Sequence, residues 1–593
     1  MSEMPPAGGR PLPEELSPRP PSGRRGRPGW IVAGSVAGVF LMVAGAVVVL
    51  FLRAQSAQTA ARHRQATTAA AAFLRTWAAG DIQALPALTV NGDRSIAAAY
   101  TAADKALGVN PGPPATVAPS STGTVSPPPP MSSNVPVRFT LGNPRDSGGQ
   151  VWVPADITLQ LPGIGPWTYP DMIHVRVGNR HALVDWTPET INPSLHPGQH
   201  LHLSRQLPTR APLLAADGSP LPATDPLADI QGPVGPATAA QAKTDPTVLA
   251  GDPVGQSGLQ ALDDNALRGT PSADVTVLDT TGRTVGTAAH IAGRAPRPVA
   301  TTLNGTLQAA AEQAIANTGH PSGLVAIDTS TGAVLAAASS PAGYPRATVG
   351  HYPPGSTFKM VTLTAALLAG HTLSDPTACT PSVTVNGYTF RNAAGEAFGT
   401  IPLQQAFAVS CNTAFIHLAE TLPPGEMATA ARLLGCDTGH APLPINSYGC
   451  SYPASATGTG YAASAIGQGN VLTSPLAIAA IAAAADAGRW QQPHLTPDPA
   501  PATHPIPAAV VAGLRQAMRA VVTSGTGTPA NLPGLPVYGK TGTAEHGSGP
   551  NPPTDAWFAA FRGQVAIAVV VENAGFGETA AVPVAAKFLA NVH

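Results

Sequence analysis

The strongest constraint on this chain is an ordered set of three short polar motifs. They are Ser356-Thr357-Phe358-Lys359, then Ser410-Cys411-Asn412, then Lys540-Thr541-Gly542-Thr543. Roughly 54 residues separate the first two and roughly 130 the last two. A single Ser-x-x-Lys is weak evidence, but three motifs in this order require a fold that brings them to one place. The first precedes Met360 to Leu368, an apolar run that predicts a buried helix, so Ser356 is expected at a helix N-terminus. Free N–H groups and the helix dipole favour developing negative charge there. Lys359 lies one turn on, with its side chain on the same face.

Those residue types fit one chemistry. A serine hydroxyl is a poor nucleophile until a neighbour takes its proton, and a lysine desolvated beside another cation can do so. Lys540 is the expected second cation. Ser410 can relay a proton between the lysine and a leaving amine, and Asn412 can hold a substrate amide. Around Lys540 the sequence reads as strand: Val537-Tyr538, then Trp557-Phe558 and Val565 to Val571, giving an edge strand and two antiparallel neighbours. Gly542 lets a substrate backbone approach, while Lys540, Thr541 and Thr543 can hold a carboxylate. The backbone N–H groups of Ser356 and Thr543 are the expected oxyanion donors.

The set Ser-x-x-Lys, Ser-x-Asn, Lys-Thr-Gly is shared by penicillin-binding proteins and class A β-lactamases. The chain resembles the class B penicillin-binding proteins, the monofunctional peptidoglycan D,D-transpeptidases. The likeness extends to Gly323–Asp328 with Thr331–Ala336, to Leu303 through Glu312, and to Pro353-Pro354-Gly355. It also includes Ile466–Gly469 with Thr473 and Pro475, and Val521-Val522 with Gly525-Thr526. It covers nearly all of 300–593, expected to be the penicillin-binding transpeptidase domain. The resemblance implies an α+β catalytic fold: a five-stranded antiparallel sheet with helices on both faces, plus a helical lobe. It implies that Ser356 attacks the penultimate D-Ala carbonyl of a stem peptide and that β-lactams acylate the same serine. A hydrolytic β-lactamase would need a glutamate to activate water, and neither Glu420 nor Glu426 sits in that family's Glu-x-x-x-Asn pattern. A D,D-carboxypeptidase and a non-catalytic cell-wall scaffold are the alternatives.

Trp30 to Leu52 is an uninterrupted apolar run, long enough to span a bilayer at about 1.5 Å per residue. Arg10, Arg19, Arg24, Arg25 and Arg27 precede it within a Pro/Arg/Gly-rich segment, 1–29, expected to be a disordered cytoplasmic tail. The run is long for a signal peptide and no lipobox cysteine follows. An uncleaved anchor in the cytoplasmic membrane at 30–52 is expected, with the remainder outside. Net charge is −1 with 11% charged residues, which leaves no nucleic-acid footprint. The implied partners are peptidoglycan stem peptides or their lipid-linked precursor, β-lactams, and a glycan-polymerising partner from division or elongation. No cofactor is implied.

Between anchor and catalytic segment two further units are expected. Residues 57–190 read as a helix carrying Phe73, Leu74 and Trp77, followed by strands near 135–141, 151–161, 172–177 and 181–186. With Gly80-Asp81 and Val184–Pro188, this segment resembles the cone-shaped, nuclear-transport-factor-like domain of one class B subgroup. Residues 200–295 resemble the class B pedestal, or dimerisation, domain, marked by Gly255–Leu259 and Leu267-Arg268-Gly269. The family's Arg-Gly-x-Ile-x-Asp-Arg-x-Gly element is degraded here: Arg210 to Gly218 keeps the first Arg and last Gly but loses the Asp-Arg pair. His196, His200 and His202 lack a carboxylate or cysteine in ligand spacing, so a surface linker is expected rather than a metal site. Four cysteines allow three complete pairings, of which Cys436–Cys450 is the simplest bridge. Cys411 is expected to be a small buried residue beside Ser410 rather than a nucleophile.

Overall fold

The computed structural model describes residues 33–109, 136–437, 439–497, 502–547 and 552–593, with 33–42 as backbone only. The expected tail and the start of the expected span lie outside the described residues.

One helix, α1 (Ala33–Ala78), opens the described chain. From Val43 to Leu52 it is apolar and exposed: Val43, Leu50 and Phe51 are each more than half accessible. Its last turns bury Phe73, Leu74 and Trp77. The sequence suggested a span ending near Leu52 and a separate helix after residue 57. The two are continuous instead, because Ala-, Gln- and Arg-rich residues 53–65 are good helix formers with no Gly or Pro to break them. From Val43 onward the helix is long and apolar enough to cross a membrane.

The end of α1 packs with helix Ser95–Leu107 on an antiparallel sheet. The sheet's strands, in spatial order, are Val137–Leu141, Gln150–Leu161, Gly165–Val177 and Ala182–Val184, as the alternating sequence predicts. Inward residues such as Val151, Val153, Ile157, Ile173 and Val175 form the core, each worth about 1.5–3 kcal/mol on burial. That core holds an unusual polar cluster. Asp104 and Asp171 are both 5% exposed, and each has one carboxylate oxygen without a partner. Trp77 Nε1 donates to the other oxygen of Asp104 at 3.2 Å. Burial pushes the Asp104 carboxyl up to about 6 and that of Asp171 to about 7.

Residues 200–295 divide their apolar side chains between two cores. Strands His200–Gln206, Ser272–Leu278 and Thr284–Ile291 form an antiparallel sheet whose Leu201, Val275 and Val277 join the core just described. Leu213, Leu227, Ile230, Leu259 and Leu267 pack into the C-terminal core instead. His200 and His202 therefore lie on a strand rather than in a linker. Although its motif is degraded, Arg210 still anchors the region, donating to Gln260 Oε1 (2.7 Å), the Gln260 carbonyl (2.9 Å) and Asp264 (2.7 Å).

The C-terminal unit is built on five strands: β1 (Ser322–Asp328), β2 (Val334–Ser340), β3 (Val537–Glu545), β4 (Thr554–Arg562) and β5 (Val565–Val571). They form one antiparallel sheet in the order β2-β1-β5-β4-β3, which leaves β3 at an edge. Alternate residues serve opposite faces. Leu324, Ala326 and Val569 meet helices Gly305–Ile315 and α5 (Gly577–Leu589). Val325, Ile327 and Val570 face Pro475–Ala487 and the helical lobe, which includes α2 (Lys359–Leu368), α3 (Asn412–Thr421) and α4 (Ala508–Ser524). The expected Cys436–Cys450 bridge is present. Cys411 is not merely a small buried residue: it is bridged to Cys379 across 32 residues, fastening the start of α3 to strand Pro376–Cys379.

Two stability predictions follow from these cores. Between about pH 4, the ordinary carboxylate value, and pH 7 the folded N-terminal core retains protons on Asp104 and Asp171 that the unfolded chain releases. Its stability is therefore expected to decline as pH rises through that window. Asp171→Asn should flatten the decline, read as the urea midpoint of protease protection over 66–184 at pH 5 and pH 8. Replacing both Cys379 and Cys411 by Ala should cost the catalytic unit about 2–4 kcal/mol in urea unfolding. Removing Cys436–Cys450, which closes only 14 residues, should cost less.

Candidate active site

Ser356 lies in a 3₁₀ turn, Gly355–Phe358, that feeds directly into α2, rather than on the first α-helical turn. In such a turn, side chains three residues apart eclipse, so Ser356 and Lys359 still share a face. Gly355 has φ +52°, and a Cβ there would lie 2.5 Å from the Thr543 carbonyl oxygen. Its N–H donates to the Gly467 carbonyl at 2.9 Å. Only glycine lets the turn press backbone to backbone on β3. Ser356 is partly exposed, and among the described residues its hydroxyl has no hydrogen-bond partner.

Both lysines are fully buried and converge on the middle motif. Lys359 Nζ donates to the Ser410 carbonyl (2.6 Å) and to Asn412 Oδ1 (2.8 Å), and lies 3.5 Å from Ser410 Oγ. Lys540 Nζ donates to Ser410 Oγ (2.8 Å) and to the Thr541 carbonyl (3.0 Å). Each ammonium also faces an aromatic ring at 5.4 Å, Lys359 over Phe415 and Lys540 over Phe407. Burial, and after it the charge of Lys540, holds Lys359 well below the ordinary lysine range. Burial alone brings Lys540 down to about 7. A neutral amine next to a serine hydroxyl is the electrostatic requirement for a proton acceptor.

The turn that receives both lysines is held from several sides. Ser410 adopts φ +61°, a conformation rare for a residue with a side chain. The Cys379–Cys411 bridge pins the next residue. Asn412 is held by protein on both ends of its amide: besides accepting from Lys359, its Nδ2 donates to the Arg391 carbonyl at 3.0 Å. The second Nδ2 hydrogen and the second Oδ1 lone pair remain for a substrate amide.

On the strand side, Thr541 is 5% exposed, and its hydroxyl lies 2.5 Å from that of Thr526. Thr543 Oγ1 accepts from the N–H of Gly577 at 3.3 Å. Gly577 has no room for a side chain, since a Cβ would fall 2.4 Å from the Gly542 carbonyl oxygen. A Cβ at Gly542 would in turn meet the Pro354 carbonyl and the Thr357 methyl at 2.9 Å. The structure thus brings all three motifs together. Sequence reasoning did not assign site roles to Thr526, Phe407, Phe415, Gly577 or the Cys379–Cys411 bridge. Thr526 follows α4 in a Gly-Thr-Gly turn with no chemical mark of its own, and the phenylalanines read simply as core.

Residues 322–591 match the penicillin-binding protein transpeptidase domain. The peptidoglycan D,D-transpeptidase PbpA of Mycobacterium tuberculosis is 32% identical over 341 residues, spanning 47% of this chain and 69% of that protein. Among solved structures, penicillin-binding protein A from M. tuberculosis, as its ceftriaxone acyl-enzyme, superposes with TM-score 0.51 and 26% identity. That match covers 65% of this chain and 98% of the other. A structure described as a peptidoglycan synthase complex coordinating polymerization and crosslinking shares the fold at TM-score 0.60 and 23% identity, covering 68% and 93%. With its three motifs gathered around two buried lysines, and with these relatives, the chain belongs to the penicillin-binding protein transpeptidase family.

Proposed function

We propose that this chain is a peptidoglycan D,D-transpeptidase that cross-links stem peptides through an acyl-enzyme on Ser356, and that β-lactams acylate the same residue. The observation that carries this reading is the pair of fully buried lysines meeting at Ser410, one turn from an unengaged serine. Lys359, kept neutral by burial and by its cationic neighbour, takes the proton of Ser356 as Oγ attacks the penultimate D-Ala carbonyl. The backbone N–H groups of Ser356 and Thr543 receive the developing oxyanion, each worth about 3 kcal/mol. Ser410, within reach of both ammonium groups, passes a proton to the departing amine as the C–N bond breaks and terminal D-Ala leaves. Lys540, Thr541 and Thr526 offer a cation and two hydroxyls to the terminal carboxylate. An amine from a neighbouring stem then attacks the acyl ester, loses its proton to the same relay and frees Ser356.

Transfer rather than hydrolysis is supported by the placement of the acidic residues after the middle motif. Glu420 lies on the exposed side of α3, paired with His417 at 3.7 Å. The same reading makes the apolar start of α1 a single membrane anchor, with the N-terminus cytoplasmic and the catalytic unit outside. It extends to a glycan-polymerising partner.

The test is intact mass of the full chain in detergent after incubation with benzylpenicillin, beside Ser356→Ala. A one-drug adduct on the wild type alone is expected; an equal adduct on the variant would overturn the assignment. Release of terminal D-Ala from a stem-peptide donor should then be accompanied by cross-linked dimer when an acceptor amine is supplied, and not by the shortened free acid alone. Because acylation needs neutral Lys359, its rate should rise with pH as that proton is lost. Lys540→Met removes the neighbouring charge and should move the rise to higher pH. An unchanged profile would uncouple the two lysines.

A further inference from the structure

One buried amide outside the three motifs holds the middle motif in place. From Arg391 to Thr400 every residue is exposed except Asn392, which is 7% exposed. Its side chain is used at both ends. Nδ2 donates to the Thr380 and Glu396 carbonyls, both at 2.8 Å, and Oδ1 accepts from the N–H of Thr413 at 3.0 Å. The sulfurs of the Cys379–Cys411 bridge lie against the same amide, Cys379 Sγ 3.7 Å from Nδ2 and Cys411 Sγ 3.5 Å from Oδ1. Two donated bonds and one accepted bond in a plane need an amide: a carboxylate has no hydrogen to give, and a hydroxyl only one.

Those bonds fix Asn412 from two directions. Thr413, whose N–H is held by Asn392 Oδ1, follows Asn412 at the start of α3. The Arg391 carbonyl, which receives Asn412 Nδ2 at 3.0 Å, belongs to the planar peptide unit that ends in the Asn392 nitrogen. Asn392 therefore holds the backbone beside Asn412 through its side chain, and the Asn412 amide through its own peptide. With Nδ2 tied to Arg391, Asn412 turns Oδ1 to Lys359, at 2.8 Å. The charged group that faces Lys359 is Lys540, on β3. From α3 come Asn412 Oδ1 and the Phe415 ring, and from the turn the Ser410 carbonyl and hydroxyl. Other charged side chains on the helices packed against α2 are engaged elsewhere or reach solvent. His417 pairs with Glu420, Arg515 with Asp486, and Arg519 donates to the Val537 carbonyl, while Glu426 is partly and Arg432 fully exposed.

We propose that Asn392 is a positioning residue for the acylation of Ser356, which keeps Asn412 Oδ1 on Lys359 and acts on the proton acceptor through Asn412. The inference rests on the proposed function, in which Lys359 takes the Ser356 proton. An oxygen acceptor at 2.8 Å favours the ammonium form of Lys359. When Asn412 is free to turn away, that support is lost. The lysine is then neutral from a lower pH, so acylation begins at lower pH. A residue that merely anchored its loop would change stability and leave the pH dependence where it is.

The test is the rate of benzylpenicillin acylation of the full chain in detergent, followed by intact mass across pH. Asn392→Ala should move the rise in rate to lower pH by about one unit, the scale of one hydrogen bond to a charged group. Asn412→Ala should move it the same way. The double variant should move it no further than Asn412→Ala alone, since one residue acts through the other. Thr413→Val removes the hydroxyl that donates to the Thr380 carbonyl at 2.9 Å but keeps the N–H held by Asn392, and should leave the rise in place. Asn392→Ser, which keeps a small polar group there, replaces the alanine variant if that chain does not fold, with the same direction of shift expected. An unmoved rise in the Asn392 variant, an equal shift in Thr413→Val, or additive shifts in the double variant overturn the positioning role. If the wild type forms an adduct and the profiles coincide, that role alone is removed; no wild-type adduct at any pH removes the transpeptidase reading with it.

Discussion

Two lysine ammonium groups buried in one cleft are the constraint around which this structure is arranged. Moving such an ion out of water costs several kcal/mol even after relaxation, and a second like charge nearby adds to that cost. The cleft offsets it with four close oxygen acceptors: the Ser410 carbonyl, Asn412 Oδ1, Ser410 Oγ and the Thr541 carbonyl. Phe415 and Phe407 add their ring faces. What remains of the penalty is expressed as lowered lysine basicity, and that is the property a serine nucleophile needs. The electrostatic cost and the chemistry are thus one quantity.

Three of those four acceptors belong to a single turn, so its geometry cannot drift. Ser410 holds a left-handed backbone conformation that costs a non-glycine residue roughly 1–2 kcal/mol. The turn is over-determined by the Cys411 bridge on one side and the Asn412–Arg391 contact on the other. Facing it, the nucleophile turn lies on β3 at a distance only glycine permits, at Gly355, and α5 closes on the same strand through Gly577. At these two glycines backbone packs directly on backbone, which fixes the nucleophile turn and α5 against β3.

This division of labour explains what could be read in the sequence. The three motifs were legible because their chemistry is local: a hydroxyl, an amine and an amide in fixed short spacing. The catalytic sheet was legible because β4 and β5 are apolar on both faces, a pattern that an edge or half-exposed strand does not give. Cys379–Cys411 was not legible, because the choice among three pairings is made by tertiary approach across 32 residues. Nor could periodicity show that 200–295 serves two cores, since a strand carrying Leu201 and one carrying Val275 alternate equally well against either neighbour. The continuity of α1 through residue 53 was not legible for a simpler reason: a change from apolar to polar composition alters what a helix faces, not whether it is a helix.

That unbroken helix and the divided middle region have a joint mechanical consequence. At about 1.5 Å per residue, α1 carries the chain about 69 Å without a hinge, and its last turns are part of a packed core. The same core includes strands His200–Gln206 and Ser272–Leu278, while Leu213, Leu227, Ile230, Leu259 and Leu267, which lie between them in sequence, are seated in the catalytic core. The polypeptide therefore crosses from one core to the other and back, and Arg205 locks the crossing. Its guanidinium donates to the Gly163 carbonyl of the N-terminal sheet (2.8 Å), the Thr247 carbonyl (3.1 Å) and Asp252 (2.8 Å). An arginine 13% exposed and bonded in a fork is a joint rather than a surface contact. The height and orientation of the cleft relative to the apolar start of α1 are consequently set by packed elements along the whole path, not by a linker.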